Sequence, residues 1–166
     1  MLILKYPANR NTLYTLAANG FTRVNYSNPA FPRTFGRINA ATPNGALGGM
    51  IAQVSASYEV DIFDTHAERP LGIFLNDAAG NAFENTPAVA SGKLTVMTGP
   101  GSYETDLYET VTEAGAALAA WAVGQSLYAS NFGLLTTENT GSIVVGVVTK
   151  IPTANNVFLG FNWVVG

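Results

Sequence analysis

Two nine-residue phrases constrain this chain more than any other feature: SYEVDIFDT at residues 57–65 and SYETDLYET at residues 102–110. They match in kind at every position except Val60 against Thr105. Within each, Tyr and carboxylate positions alternate in part with apolar ones, as on a half-buried strand. A second pair follows: LGIFLN at 71–76 resembles VGVVTK at 145–150, each an apolar strand with an early glycine. A strand glycine marks a bulge or the close approach of another backbone. The simplest account is two related β units, with extra residues inserted in the second. A duplicated β motif suits a barrel or sandwich in which each unit supplies half of a shared core.

Turn chemistry agrees with short strands. Asp77 to Asn81, Ser91-Gly92, Gly99-Pro100-Gly101, Asn131 to Gly133 and Asn139 to Gly141 all offer turn positions. Strands are expected near 94–98, 103–109, 126–129, 143–150 and 157–165. The one helix candidate is the alanine-rich stretch Thr112–Val123, framed by Gly115 and Gly124. The fold class expected is therefore mainly all-β. A β-barrel-like or sandwich body occupies 57–166, preceded by an extended N-terminal arm over 1–56, with at most one short helix.

Residues 1–56 differ from the body. They contain Pro7, Pro29, Pro32 and Pro43, and Pro29 and Pro32 favour extended chain around Ala30-Phe31. The first 58 residues hold five cations (Lys5, Arg10, Arg23, Arg33 and Arg37) and no acid, whereas the remainder holds three cations against eleven acids. Aromatics recur as Tyr6, Tyr14, Phe21, Tyr26, Phe31 and Phe35. A disordered linker is poor in aromatics, so the segment reads as an ordered arm lying on a surface. Ordering it costs about 1–2 kcal/mol per residue, and exposed ion pairs return only about 0–1 kcal/mol each. Buried aromatics return roughly 1.5–3 kcal/mol apiece. Tyr6, Tyr14, Phe21, Tyr26, Phe31 and Phe35 are thus the candidate anchors. Arg10, Arg23, Arg33 and Arg37 would steer the arm toward an acidic surface.

Only 11% of the 166 residues are charged while 48% are hydrophobic. That charge density is well below the ~25% of ordinary soluble domains, and it points to a surface partly covered by a partner or by another copy of the chain. Nucleic acid is not the expected partner, because five separated cations on an acidic chain make a shallow electrostatic footprint. No apolar run reaches the ~18 residues of a membrane span, and the opening MLIL breaks at Lys5, too soon for a secretory core. The chain reads as soluble and made in a cytoplasm.

Catalytic signals are sparse. There is no cysteine, so no thiol nucleophile and no Cys-ligated zinc. His66 is the only histidine and lies close in sequence to Glu59, Asp61, Asp64 and Glu68. A carboxylate–imidazole metal site is conceivable there. The second phrase keeps the carboxylates without a histidine, which favours a polar strand end. The pairs Glu59/Asp61 and Glu104/Asp106 each share one strand face, as a glycosidase requires and as any solvated strand presents. Gly99-Pro100-Gly101-Ser102 lacks the lysine of a phosphate loop. No enzyme activity, metal or cofactor is expected. Trp121 and Trp163 read as core or interface anchors, with a sugar-binding platform as the alternative.

Four stretches together resemble the head-associated structural proteins of tailed bacteriophages, the small capsid decoration or cement proteins. They are RPLGIFLNDAAGNAFENTPAVASGK at 69–93, GPGSYETDLYET at 99–110, GQSLYASNFGLLT at 124–136 and GVVTKIP at 146–152. The similarity covers about residues 57–161 and leaves the arm outside. It implies a β-barrel-like body without enzyme activity that binds the outside of the major capsid protein shell and clamps neighbouring capsomers. The location implied is the virion surface, with self-association as a dimer or trimer. The competing readings are a tail- or fibre-associated virion β protein and a carbohydrate-binding β module.

Overall fold

The computed structural model describes residues 2–4, 11–16, 47–56, 59–75, 93–139 and 141–165. The strands there are β1 (Leu2–Leu4), β2 (Asn11–Leu16), β3 (Ile51–Ala56), β4 (Glu59–Ile62), β5 (Pro70–Phe74) and β6 (Lys93–Met97). They continue with β7 (Gly101–Thr105), β8 (Ser126–Ala129), β9 (Leu135–Thr136), β10 (Gly146–Lys150) and β11 (Leu159–Trp163). All belong to two sheets, and no helix occurs among the described residues. Five strands close into a barrel in the order β2-β4-β3-β5-β6, and six form a sheet in the order β1-β7-β11-β10-β8-β9. The expected all-β, barrel-like body is what the chain builds.

The two sequence pairs are distributed one copy to each sheet. In the barrel, β4 and β5 flank β3, which runs antiparallel to both. In the six-stranded sheet, β7 and β10 flank β11 in the same antiparallel manner. Each sheet is thus organised around a three-strand unit whose outer strands carry the related sequences. The central strands come from opposite ends of this arrangement, β3 before its partners in the chain and β11 after them.

The glycine in each second-pair strand has the same physical cause. A Cβ on Gly72 would lie 2.1 Å from the Met97 carbonyl oxygen, and one on Gly146 would lie 2.6 Å from that of Asn162. Neither strand has room for a side chain there, because a neighbouring backbone occupies the space.

Apart from the turn at 47–50, the described parts of the N-terminal segment are strands within these sheets. β1 pairs with β7 through Leu2↔Thr105, Ile3↔Glu104 and Leu4↔Tyr103. β2 runs antiparallel to β6 and closes the barrel through a short parallel contact with β4, Thr15↔Glu59 and Leu16↔Val60. β3 is the centre of the barrel unit. Residues 5–10 and 17–46 lie outside the described residues.

Both sheets contribute to one core. Ile51, Phe63, Ile73 and Met97 from the barrel side join Tyr103, Leu127, Val148, Leu159, Phe161 and Trp163 from the six-stranded sheet in a single buried cluster. The Tyr103 and Phe161 rings are 5.6 Å apart. Full burial of an aromatic or aliphatic side chain of this size stabilises by about 1.5–3 kcal/mol. The hydrogen bond from Ile51 N–H to the Gly133 carbonyl, 2.8 Å, ties the barrel to the loop after β8.

The helix expected over Thr112–Val123 does not form. Val111 and Ala117 are bridged as a miniature hairpin, and Gly115 within it has φ +86°. The Thr112 hydroxyl accepts the Ala116 amide at 2.9 Å and its carbonyl accepts that of Gly115 at 2.8 Å. Gly124, also at φ +86°, turns the chain into β8. Helix propensity from alanine is weak in a segment this short, and Gly115 costs about 1 kcal/mol in a helix interior. The threonine and glycine turn chemistry prevails. The expected strand at 143–150 begins only at Gly146, with Ile143 and Val144 exposed before it.

Candidate functional site

The polar feature with unusual electrostatics sits where the barrel meets the six-stranded sheet. After β7 the chain continues inward, and Leu107, Tyr108 and Glu109 are all buried. Tyr108 bridges to Leu135, and the Glu109 amide donates to the Leu135 carbonyl at 2.8 Å. Register therefore directs the Glu109 side chain into the interior, where it is only 2% exposed. Its Oε1 accepts the Ser130 hydroxyl at 2.8 Å, and its Oε2 has no hydrogen-bond partner.

Ser130 is held in turn by a tight loop. Its Oγ accepts the amides of Phe132 and Leu134, each at 3.3 Å, and its own amide donates to the Leu134 carbonyl at 2.9 Å. A hydroxyl used this way shapes a turn.

Glu113 forms the second tier. Its Oε1 lies 2.9 Å from His66 Nε2 and accepts the Asn131 amide at 2.8 Å, while its Oε2 accepts Asn131 Nδ2 at 3.0 Å. The Glu113 amide donates to Glu138 Oε2 at 2.8 Å. His66 belongs to the β4–β5 connection, so this contact joins the barrel to the β7–β8 and β9–β10 connections of the other sheet. Asn131 Oδ1 is buried without a partner.

Burial, first, pushes the Glu109 carboxyl up to about 7. The Ser130 hydroxyl works against this shift, and the Glu113 and Glu138 charges add to it. A carboxyl in this state holds a proton near neutral pH. Among the described residues, no group of three or more His, Cys, Asp or Glu is placed to hold a metal ion.

The sequence-derived candidates are distributed as follows. Tyr14 lies in β2 opposite Leu94 of β6. Tyr6, Arg10, Phe21, Arg23, Tyr26, Phe31, Arg33, Phe35 and Arg37 lie outside the described residues. His66 Nε2 meets Glu113 Oε1, far along the chain, at 2.9 Å. Asp61 is 2% exposed and its Oδ1 accepts the Ile62 amide at 2.7 Å. Glu104 pairs with Lys150 at 3.0 Å. Trp163 is buried to 1% exposure, so it presents no ring face for a sugar. Trp121 is partly buried, edge-on to Tyr108 at a centroid distance of 5.4 Å.

Sequence reasoning missed the Glu109–Ser130–Glu113 junction. The available signal was Leu107-Tyr108-Glu109, an acid that continues an apolar run. Its equivalent in the first copy, Asp64, instead accepts Gln53 Nε2 at 2.7 Å on a less buried face. No family model matches this chain, and no curated protein matches it.

Proposed function

We propose that this protein is a structural virion component, a decoration or cement protein. It binds the outer face of a major capsid shell and stabilises contacts between capsomers, as a small homo-oligomer. The observation that carries this reading is apolar side chains left uncovered on one hairpin. Ile143, Val144 and Val164 are 38–50% exposed at one end of the β10–β11 pair, and Ile151 and Val157 are 41% and 47% exposed at the other. The Val164 amide donates to the Val145 carbonyl, which keeps the first three together. In a chain with 11% charged residues this is a surface suited to burial against protein. The resemblance of residues 57–161 to cement proteins supports the same reading.

Anchoring by an arm fits this role. An aromatic arm across a subunit seam adds burial that is lost when the seam opens, and the contribution repeats over the whole shell. Phe21, Tyr26, Phe31 and Phe35 would anchor it, with Arg23, Arg33 and Arg37 steering. Tyr6, Arg10 and Tyr14 are the remaining contact candidates.

Density-gradient sedimentation of the protein from its native source tests the reading. Co-migration with megadalton, DNA-filled particles in many copies supports it, and imaging of those particles separates a shell position from a tail or fibre position. Migration as a small particle-free species overturns it. Replacing Phe21, Tyr26, Phe31 and Phe35 together by alanine changes no residue of β1 or β2 and should release the protein from shells. Full occupancy by that variant would refute the arm's role.

A further inference from the structure

The 110–124 excursion leaves the body at the Glu109 junction. Its residues Ala114, Gly115, Ala116, Ala117, Ala119, Ala120, Ala122 and Val123 are exposed. Apart from Trp121 against Tyr108, its ties to the rest of the protein are mostly polar. They run from Glu113 to His66, Asn131 and Glu138, and from the Gly124 amide to the Val148 carbonyl at 2.8 Å. Segments with few buried apolar contacts open at low free energy.

We propose that Glu109 is a pH-sensitive latch: its protonated carboxyl holds the 110–124 excursion against the 130–138 segment, and its ionised carboxylate releases it. The geometry supplies the reason. Glu109 Oε1 has a donor in Ser130, but Oε2 is buried with none. A neutral carboxyl tolerates that environment far better than an ion does. The groups facing it from the packed elements are Ser130 after β8, Glu113 in the β7–β8 connection and Glu138 after β9. Both charges acting on it are negative. His66, from the β4–β5 turn, engages Glu113. Ionisation of Glu109 therefore places a third carboxylate beside two others, in a junction whose bonds through Glu113 hold the excursion down.

With the carboxyl at about 7 in the closed junction and 4.5 in the open one, the opening equilibrium rises about 30-fold between about pH 5.5 and about pH 8.5. Hydrogen exchange of the full chain, corrected for intrinsic rates, reads this directly. The expected result is a loss of protection of about that factor at Glu109, Glu113 and Asn131, whose amides bridge the excursion and the 130–138 segment, not shared by the amides of β11. Glu109→Gln should remove the share of the rise that Glu109 carries, leaving only what the His66–Glu113 contact contributes. Glu138→Gln keeps an oxygen for the Glu113 amide but removes one repelling charge, and should reduce the rise. Equal protection at both pH values overturns the latch. So does an undiminished rise in either variant, or the same rise in β11.

Discussion

Replacement of Glu109 by glutamine should change how stability depends on pH. In the folded protein this carboxyl titrates at about 7, against an ordinary value of 4.5. Below the ordinary value, folded and unfolded chains both hold the proton. Between the two values the unfolded chain has lost its proton while the folded chain keeps it. The folded state binds more protons there, so stability falls as pH rises. Above about 7 both are ionised and the loss levels off. The separation corresponds to about 3 kcal/mol, at 1.36 kcal/mol per pKa unit. If the junction opens locally, the loss is capped at the free energy of opening. Glutamine retains an acceptor for the Ser130 hydroxyl. It places a buried NH2 where Oε2 was, at a cost of about 1–3 kcal/mol that does not vary with pH. The readout is therefore the slope. Urea midpoints at constant m-value, taken through this pH range, should converge or cross as the wild-type protein weakens and the variant does not. Parallel curves for the two proteins would refute the reasoning.

Two further outcomes follow from packing. Gly72→Ala drives a methyl to within 2.1 Å of the Met97 carbonyl oxygen, whereas Gly115→Ala meets nothing within 4 Å and pays only for φ +86°. The first should lower stability by about 3 kcal/mol or more and the second by about 1–2 kcal/mol. Thermal melts giving the reverse order would contradict the close approach of β5 and β6. Phe161→Ala removes a fully buried ring from the centre of β11 and should cost about 3–5 kcal/mol, measured by urea unfolding. A cost under about 1 kcal/mol would mean that the two sheets do not share this core.

The strand content was legible in the sequence because each strand carries its own evidence. Ser126–Ala129 alternates in burial between inward Leu127 and Ala129 and outward neighbours, and turn residues bound it. Likewise Gly72 and Gly146 announced backbone crowding through the lack of a side chain in an apolar strand. The duplicated phrases showed that two similar units exist. They carried no information on the central strand of each. Those are β3 and β11, far apart in the chain and unlike in sequence, and strand pairing is a contact between distant segments. The helix expectation failed at Thr112–Val123 for a related reason, since alanine's preference is small beside two positive-φ glycines and a threonine-closed turn.

The junction lies beyond any local pattern. His66, Glu109, Glu113, Ser130, Asn131 and Glu138 come from four connections and meet only when barrel and sheet share a core. Composition and periodicity by themselves determined an all-β chain with two related units and a sparsely charged surface, because burial alternation and turn preference act over a few residues. Only the tertiary structure decided that one carboxyl would be sealed from water beside two others. The free energy of a charge depends on its surroundings in space, and neighbours in sequence do not supply them.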